Sequence, residues 1–220
     1  MKLSKATVAV IIALLVIAID QIIKIAVKTH MYWGEDIEIF SWFHLRFVQN
    51  NGMAFGMEFG SKLFLTLFRI VAVGVLTWII VRLCRRREYP VGLVACVSLI
   101  TAGAAGNIFD CVFYGEIFNN PFPPAVAQFV PWGDGYSSLF HGLVVDMFYF
   151  PLFSFVWPQW VPFVGGETFS FFDPVFNFAD AAITVGVIIL ILFYSKYLGS
   201  GKETRLEQAE AENDENGRKA

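Results

Sequence analysis

Four long apolar runs decide what this chain can fold into. They cover residues 6–27, 63–83, 89–110 and about 178–198. A helix needs about 20 mostly apolar residues to cross the hydrocarbon core of a bilayer, and each run has that length. The chain is 56% hydrophobic, which is more apolar than an ordinary soluble domain. The sequence therefore predicts a mainly α membrane protein with four transmembrane helices.

The first apolar run is predicted to remain in the protein as a helix rather than to be cleaved as a signal peptide. It is longer than the apolar region of a signal peptide, which has roughly 7 to 15 residues, and no small-residue cleavage site closes it. The charged residues Asp20 and Lys24 also fit such a region poorly.

Most basic residues fall on one side of this four-helix topology. They precede the first helix, lie between the second and third, and follow the fourth: Lys2, Lys5, Arg82, Arg85, Arg86, Arg87, Lys196, Lys202 and Arg205. Residues 111–177 contain no lysine or arginine. Because cytoplasmic loops are enriched in these residues, we expect both termini in the cytoplasm. We predict one membrane domain over residues 1–200 and a polar cytoplasmic tail over residues 201–220.

The two segments on the opposite side differ in character. Residues 36–48, DIEIFSWFHLRFV, alternate in places between apolar and polar side chains, which predicts paired strands of a small sheet. Residues 111–176 are rich in Phe, Trp and Pro. The prolines argue against another spanning helix, and the aromatic residues suit the headgroup zone of a bilayer. We therefore expect a long outer loop that lies on the membrane.

Polar residues near the outer ends of the helices are the candidates for function. Three pairs have helical spacing: Asp20 with Lys24, Asn107 with Asp110, and Asn177 with Asp180. Asp146 lies in the apolar stretch GLVVDMF of the long loop, and Asn50 lies in a turn after the predicted strands. Ionisable residues in apolar membrane surroundings are costly and usually functional.

Some of these residues also have purely structural interpretations. Asp20 and Lys24 fit an ion pair within one helix, Asn50-Asn51-Gly52 fits an ordinary turn, and Asn177 fits a helix N-cap. The acids Asp146 and Asp180 are harder to explain in this way.

A pair of carboxylates is the catalytic group that the sequence favours, because the motifs of other hydrolases are absent. The sequence contains neither the HExxH motif of zinc peptidases nor the GxSxG motif of serine hydrolases, and its three histidines are scattered. Two neighbouring carboxyl groups cannot both ionise easily, so they share a proton. The ionised group can activate water and the protonated group can polarise a carbonyl. That combination is the chemistry of an aspartic peptidase.

Five motifs occur in a fixed order along the chain. They are DQIIK in the first helix, FVQNNGMAF after the predicted strands, GAAGNIFD at the end of the third helix, GLVVDMF in the loop and FNFAD at the start of the fourth helix. Together with the topology they resemble the lipoprotein signal peptidase family, also called signal peptidase II. Each motif is weak by itself, but the ordered set is highly specific.

The resemblance implies a bacterial inner-membrane aspartic endopeptidase with its active site toward the periplasmic face. Such enzymes remove signal peptides from prolipoproteins and cut before a cysteine that carries diacylglyceryl. The implied catalytic residues are Asp146 and Asp180. The implied supporting or substrate-binding residues are Asp20, Lys24, Asn50, Gly52, Asn107, Asp110, Asn177 and Ala179. Membrane lipids and globomycin-type inhibitors are the other implied partners, and no cofactor, metal ion or nucleic acid is expected.

The chain departs from the family pattern in two respects. Members usually carry an arginine directly after the aspartate of the third-helix motif, and this chain has Cys111 there. Arg69 and Arg46 are the candidates to replace it. The segments before and after Asp146 are also longer than usual in the family.

Two other functions are consistent with an apolar chain of this kind. A transporter or proton channel would use membrane acids as a relay, but it should spread polar residues through the membrane depth. A non-catalytic assembly or anchor protein would use the aromatic loop to bind partners, but it leaves the paired Asn and Asp spacings unexplained.

Overall fold

The computed structural model of the protein describes residues 3–50 and 62–197, and its helices occupy the four apolar runs. In chain order the helices are α1 (Lys5–His30), α2 (Lys62–Arg85), α3 (Val91–Phe109), the short α4 (Gly115–Ile117) and α5 (Phe178–Tyr194). Among the described residues, three helical segments are long and apolar enough to cross a membrane, and α5 is a shorter apolar helix of 17 residues. The predicted mainly α membrane fold is confirmed.

The third helix does not end where the sequence predicts. Instead of stopping at Asp110, the chain continues through a π-helical turn, Asp110–Tyr114, into α4. A π-helical turn is wider than an α-helical one and rotates the residues that follow it. Here Asp110 and Tyr114 are both fully buried. The helical segment therefore extends to Ile117, into the region that the sequence predicts as loop.

The strands form two small antiparallel sheets. One sheet has the order β1 (Asp36–Phe40), β2 (Phe43–Asn50) and β3 (Val144–Tyr149), and the other pairs β4 (Phe153–Val156) with β5 (Thr168–Phe171). The strand pairing predicted for residues 36–48 is confirmed by the β1–β2 pair. The other three strands lie in the segment that the sequence predicts as loop.

A buried apolar cluster joins the first sheet to the helices. Its members come from α1, the π-helical turn, β2 and β3, and from the residues that directly follow α1 and α4: Val27, Met31, Phe47, Tyr114, Phe118, Val145 and Met147. Strand β3 is buried along almost its whole length, and its register places Val48 opposite Asp146. The sheet therefore holds Asp146 against the end of the helix bundle where α1 finishes.

Helix α3 lies at the centre of the bundle and packs against α1, α2 and α5. Small residues allow the close approach that membrane helices need. A side chain at Gly106 would place its Cβ 2.7 Å from Oδ2 of Asp20, and one at Gly103 would collide with the backbone carbonyl of Ala179. The outward faces stay apolar, as at Leu14 and Phe68, which suits contact with lipid.

Candidate active site

The structure brings nine of the ten predicted site residues to one end of the bundle. They lie in the second half of α1, at the end of α3, at the start of α5 and on the paired strands β2 and β3: Asp20, Lys24, Asn107, Asp110, Asn177, Ala179, Asp180, Asn50 and Asp146. Gly52, the tenth, lies outside the described residues.

A buried ionic cluster holds α1 to α3. The ammonium of Lys24 lies 2.9 Å from Oδ2 of Asp20 and 2.8 Å from Oδ2 of Asp110, and none of the three side chains is exposed. The ion pair that the sequence predicts within α1 is therefore shared with a carboxylate of another helix. Because each charge is desolvated, the cluster is stable only with all its partners in place.

Asp20 also fixes the start of α5. Its Oδ1 accepts a hydrogen bond of 3.0 Å from the backbone N–H of Ala179. That N–H belongs to the first turn of a helix, where it has no partner within the helix. Ala179 is fully buried and its Cβ lies beside Gly106, so the site has room for little more than a methyl group.

Asn107 connects the ionic cluster to Asp180. Its Oδ1 accepts a hydrogen bond of 2.8 Å from Nζ of Lys24, and its Nδ2 donates one of 2.8 Å to Oδ1 of Asp180. The two bonds use opposite ends of one amide. The Asn107 side chain therefore links the Lys24 ammonium to the Asp180 carboxylate.

Asn177 links the two candidate catalytic acids. It is the N-cap of α5: its Oδ1 accepts from the N–H of Asp180 at 2.9 Å, and its own N–H donates to Oδ2 of Asp180 at 3.3 Å. Its Nδ2 donates to Oδ1 of Asp146 at 2.6 Å. The structural interpretation of Asn177 as an N-cap is correct, and the same side chain also reaches the other acid.

Asp146 lies on β3 and is 3% exposed. Its Oδ2 accepts a hydrogen bond from Nδ2 of Asn50, which is on the neighbouring strand β2. Burial, followed by the negative charge of Asp180 nearby, raises the pKa of the Asp146 carboxyl to about 7. The Asn177 amide opposes this shift because it donates to the carboxylate. At neutral pH this acid is thus poised between its protonated and ionised forms.

Gln21 also belongs to this network, but it was not among the residues predicted from the sequence, although it lies beside Asp20 in the same apolar run. Its Nε2 donates to Oδ2 of Asp20 at 3.1 Å and to Oδ1 of Asp110 at 2.9 Å, and its Oε1 accepts from the hydroxyl of Tyr114 at 3.0 Å. A polar residue in an apolar run was the criterion that found Asp20, and the same criterion would have found Gln21.

Lys28 was also missed, although it continues the four-residue spacing of Asp20 and Lys24. Its side chain is fully buried, and its ammonium lies 5.1 Å from the ring centre of Tyr136 and 3.3 Å from Oε1 of Gln49. Gln49 directly precedes Asn50 on β2. The lysine therefore helps to hold the strand end that reaches Asp146.

Arg69 and Arg46 were the two candidates to replace the family arginine, and Arg69 is the one that lies beside Cys111. Its Nη1 lies 3.8 Å from the Cys111 sulfur. Arg46 lies over the ring of Tyr149 and 3.9 Å from Asp36 on β1. The Arg69 guanidinium therefore lies beside residue 111, where the family usually has its arginine, although Arg69 belongs to α2.

The arrangement suits proton transfer by a pair of carboxyl groups. Asp146 and Asp180 come from different elements, interact electrostatically and share Asn177 as a partner. Within residues 3–50 and 62–197, no group of three His, Cys, Asp or Glu side chains is arranged to hold a metal ion. In the described part of the chain, the groups that donate hydrogen bonds to the two carboxylates are side-chain amides and a backbone N–H, which can orient carboxylates without competing for their proton.

Comparisons with known proteins point to one family. The family model described as signal peptidase (SPase) II matches residues 12–196. The lipoprotein signal peptidase of Porphyromonas gingivalis (strain ATCC 33277) is 48% identical over 206 residues, covering 92% of this chain and 91% of that protein. The lipoprotein signal peptidase of Amoebophilus asiaticus is 39% identical over 187 residues, covering 82% of this chain and 75% of that protein.

Two solved structures have a similar fold. Each is described as a bacterial membrane enzyme structure obtained by the in meso method, at 2.3 Å and 1.9 Å resolution. Their TM-scores are 0.57 and 0.55 at 23% and 24% identity. The alignments cover 87% and 84% of this chain and 90% of each solved chain.

Proposed function

Because this chain belongs to the signal peptidase II family of membrane peptidases, we propose that it is an aspartic endopeptidase that cleaves signal peptides from diacylglyceryl-modified prolipoproteins. The observation that carries the aspartic assignment is the contact of Asn177 with both Asp146 and Asp180. Asp146 and Asp180 are the proposed catalytic residues, and the other predicted polar residues are their proposed supports.

In the proposed reaction Asp180 acts as the base and Asp146 as the acid. Asp180 takes a proton from water as the water oxygen bonds to the scissile carbonyl carbon, and the Asp146 proton goes to the carbonyl oxygen. The tetrahedral intermediate then collapses. The C–N bond breaks, and the proton held by Asp180 passes to the leaving amine nitrogen while the carbonyl oxygen returns its proton to Asp146. Each acid accepts hydrogen bonds from two N–H donors, so the donors do not distinguish the two roles. The assignment rests on the pKa of Asp146, which is raised to about 7, so that this acid keeps a proton more readily than an ordinary carboxyl group.

The position of the two acids supports a lipidated substrate. They lie where α5 begins and where β3 packs against the bundle, so they are at one end of the apolar helices. A diacylglyceryl group keeps its acyl chains in the bilayer and places the modified cysteine near the headgroup boundary. The scissile bond before that cysteine is thus at the depth of the site. Globomycin-type inhibitors are proposed to compete there.

The function is tested by adding purified protein to a prolipoprotein with and without its diacylglyceryl group. We expect the lipidated precursor to lose its signal peptide and the unlipidated one to stay intact. Mass spectrometry of the product should place the cut directly before the modified cysteine. Equal cleavage of both precursors, or a cut elsewhere, would contradict the proposed specificity.

Cleavage is expected to decline as the pH rises above about 7, because Asp146 must carry a proton and its pKa is raised to about 7. The protonated fraction falls about tenfold for each further pH unit, and kcat/KM should follow it. The measurement is kcat/KM between about pH 6 and pH 9, in the range set by this pKa. The unfolding temperature over the same range is the control, since loss of the fold would mimic loss of the acid. A rate that rises steadily with pH would exclude Asp146 as the acid.

The proposed orientation places both termini in the cytoplasm and the site toward the periplasm of the inner membrane. It rests on the basic residues between α2 and α3 and on their absence from residues 111–177. In a variant without native cysteines, a new cysteine at the exposed Asp134, next to Gly135, should react with an impermeant reagent in intact cells. One at Glu88 should not react, and its labelling would reverse the orientation.

A further inference from the structure

A groove of about 560 Å³ lies between α1, α2 and α3, away from the two acids. It exists because α2 packs mainly on α3 and makes few contacts with α1. Its lining is almost entirely apolar and includes small residues from all three helices, such as Ala9, Ala13, Thr77, Val81, Ser98 and Ala102. Membrane helices usually close over small residues, but here these residues face a space.

Ser98 gives this groove a polar group that needs a partner. Its side chain is 1% exposed, and its Oγ is the one buried side-chain oxygen or nitrogen in the described part of the chain without a hydrogen bond. The neighbouring hydroxyls of Thr77 and Thr101 bond to carbonyls one turn earlier in their own helices. An unpaired hydroxyl in an apolar environment is costly, so a ligand that brings a polar atom to this depth would be stabilised.

The groove continues into a basic pocket of about 390 Å³ at the end of α2. Val81 and Arg85 line both spaces, and Trp78, Arg82 and Arg86 complete the pocket. The Arg82 guanidinium lies 4.4 Å from the ring centre of Trp78. Nη1 of Arg86 lies 3.2 Å from Oε1 of Glu88. Arginine binds phosphate through its planar fork, and basic pockets at the ends of membrane helices suit anionic lipid headgroups.

We propose that the groove and the basic pocket together bind one anionic diacyl phospholipid. Its phosphate is held by Arg85 and Arg82, an ester carbonyl accepts from the Ser98 hydroxyl, and an acyl chain fills the space between α1 and α2. A phospholipid combines all three kinds of group: a phosphate, an ester carbonyl and acyl chains. The site is distinct from the proposed active site, and its occupation would hold α2 to α1.

The charge of the pocket favours a lipid over a signal-peptide helix or a second copy of the chain. A signal peptide carries its positive charges at its N-terminal end, which would lie against the arginines. A second copy would bring its own basic residues of the α2–α3 connection, such as Arg87, to the same level. Both arrangements would place positive charges next to the arginines of the pocket. The negative charge of a phosphate diester would instead neutralise those arginines.

The test is lipid binding to the full-length protein in detergent, counted by native mass spectrometry with dioleoylphosphatidylglycerol and dioleoylphosphatidylcholine. We expect one tightly retained phosphatidylglycerol and weaker retention of phosphatidylcholine. Arg85→Gln should weaken phosphatidylglycerol binding about fivefold. Arg87→Gln is the matched control, because Arg87 belongs to the same basic run but lines neither space. Inorganic phosphate should not displace the lipid, because it lacks acyl chains.

A second pair of variants tests the groove itself. Thr77→Trp should fill it and remove both lipids, whereas Val75→Trp, on an exposed face of α2 outside the groove, should not. Equal retention of the two lipids with no effect of Arg85→Gln would overturn the headgroup assignment. Unchanged lipid counts in Thr77→Trp with loss of prolipoprotein cleavage would assign the groove to the substrate helix instead. A stable two-chain species lost in Thr77→Trp would assign it to a second copy.

Discussion

Asp146→Asn and Asp180→Asn are each expected to abolish cleavage of a lipidated prolipoprotein, with a loss of at least about a thousandfold. Asparagine keeps the shape of aspartate and one of the two hydrogen bonds that each carboxylate accepts. It can neither take a proton from water nor supply one to the carbonyl. The measurement is a gel-shift assay on lipidated precursor, with each variant at matched abundance in the membrane.

The double variant separates a catalytic pair from two independent contributions. Residues that act as a unit lose activity non-additively, so Asp146→Asn with Asp180→Asn should be hardly slower than either single variant. Asp36→Asn is the matched control: Asp36 is on β1, is partly exposed and contacts His44 rather than the site. Asp110→Asn should keep some activity or fail through instability. Near-normal cleavage by either catalytic variant would remove the basis for an aspartic mechanism.

Lys24→Met is expected to destabilise the fold by roughly 3–5 kcal/mol, because it leaves the buried carboxylates of Asp20 and Asp110 without their cation. The three side chains have no exposed surface, so solvent cannot replace the lost charge. The substitution should also lower the rate of cleavage, because Lys24 donates a hydrogen bond to Asn107 and Asn107 donates one to Asp180. The measurement is the apparent unfolding temperature of the purified protein in detergent.

A variant that removes the whole ionic cluster distinguishes charge from packing. Asp20→Asn and Asp110→Asn combined with Lys24→Met leave no unpaired buried charge, so this triple variant should unfold at a higher temperature than Lys24→Met alone. Lys196→Met, an exposed lysine near the end of α5, is the control for loss of a positive charge and should have little effect. A triple variant no more stable than Lys24→Met would contradict this explanation, because removing the two carboxylates would then give no relief.

The distribution of polar groups favours a local site over a pathway across the membrane. The linked acids, amides and lysine lie at the end of the bundle formed by the second half of α1, the end of α3 and the start of α5. A proton relay would need such groups throughout the helices. The anchor hypothesis leaves this connected network without a role.

The long segment between α4 and α5 was the least predictable part of the fold. Strand β3, VVDMFY, is buried on both faces and therefore lacks the alternation that identifies a strand in sequence. Its partner β2 is far away in the chain: Asn50 and Asp146 are 96 positions apart. Strands β4 and β5 form a separate pair of aromatic-rich segments, with Phe153 stacked on Phe171. The β2–β3 pairing therefore does not follow from a local pattern.

The sequence by itself determined the membrane fold, the family and the residues worth testing, because each depends on local or ordered information. Run length sets whether a helix can span a bilayer, and a spacing of three or four sets which side chains share a helix face. Only the tertiary structure decided that Lys24 is shared between Asp20 and Asp110, and that Asn177 joins Asp146 to Asp180. Those contacts depend on how α1, α3, α5 and β3 approach one another, and the packing of distant elements is not encoded in any one segment.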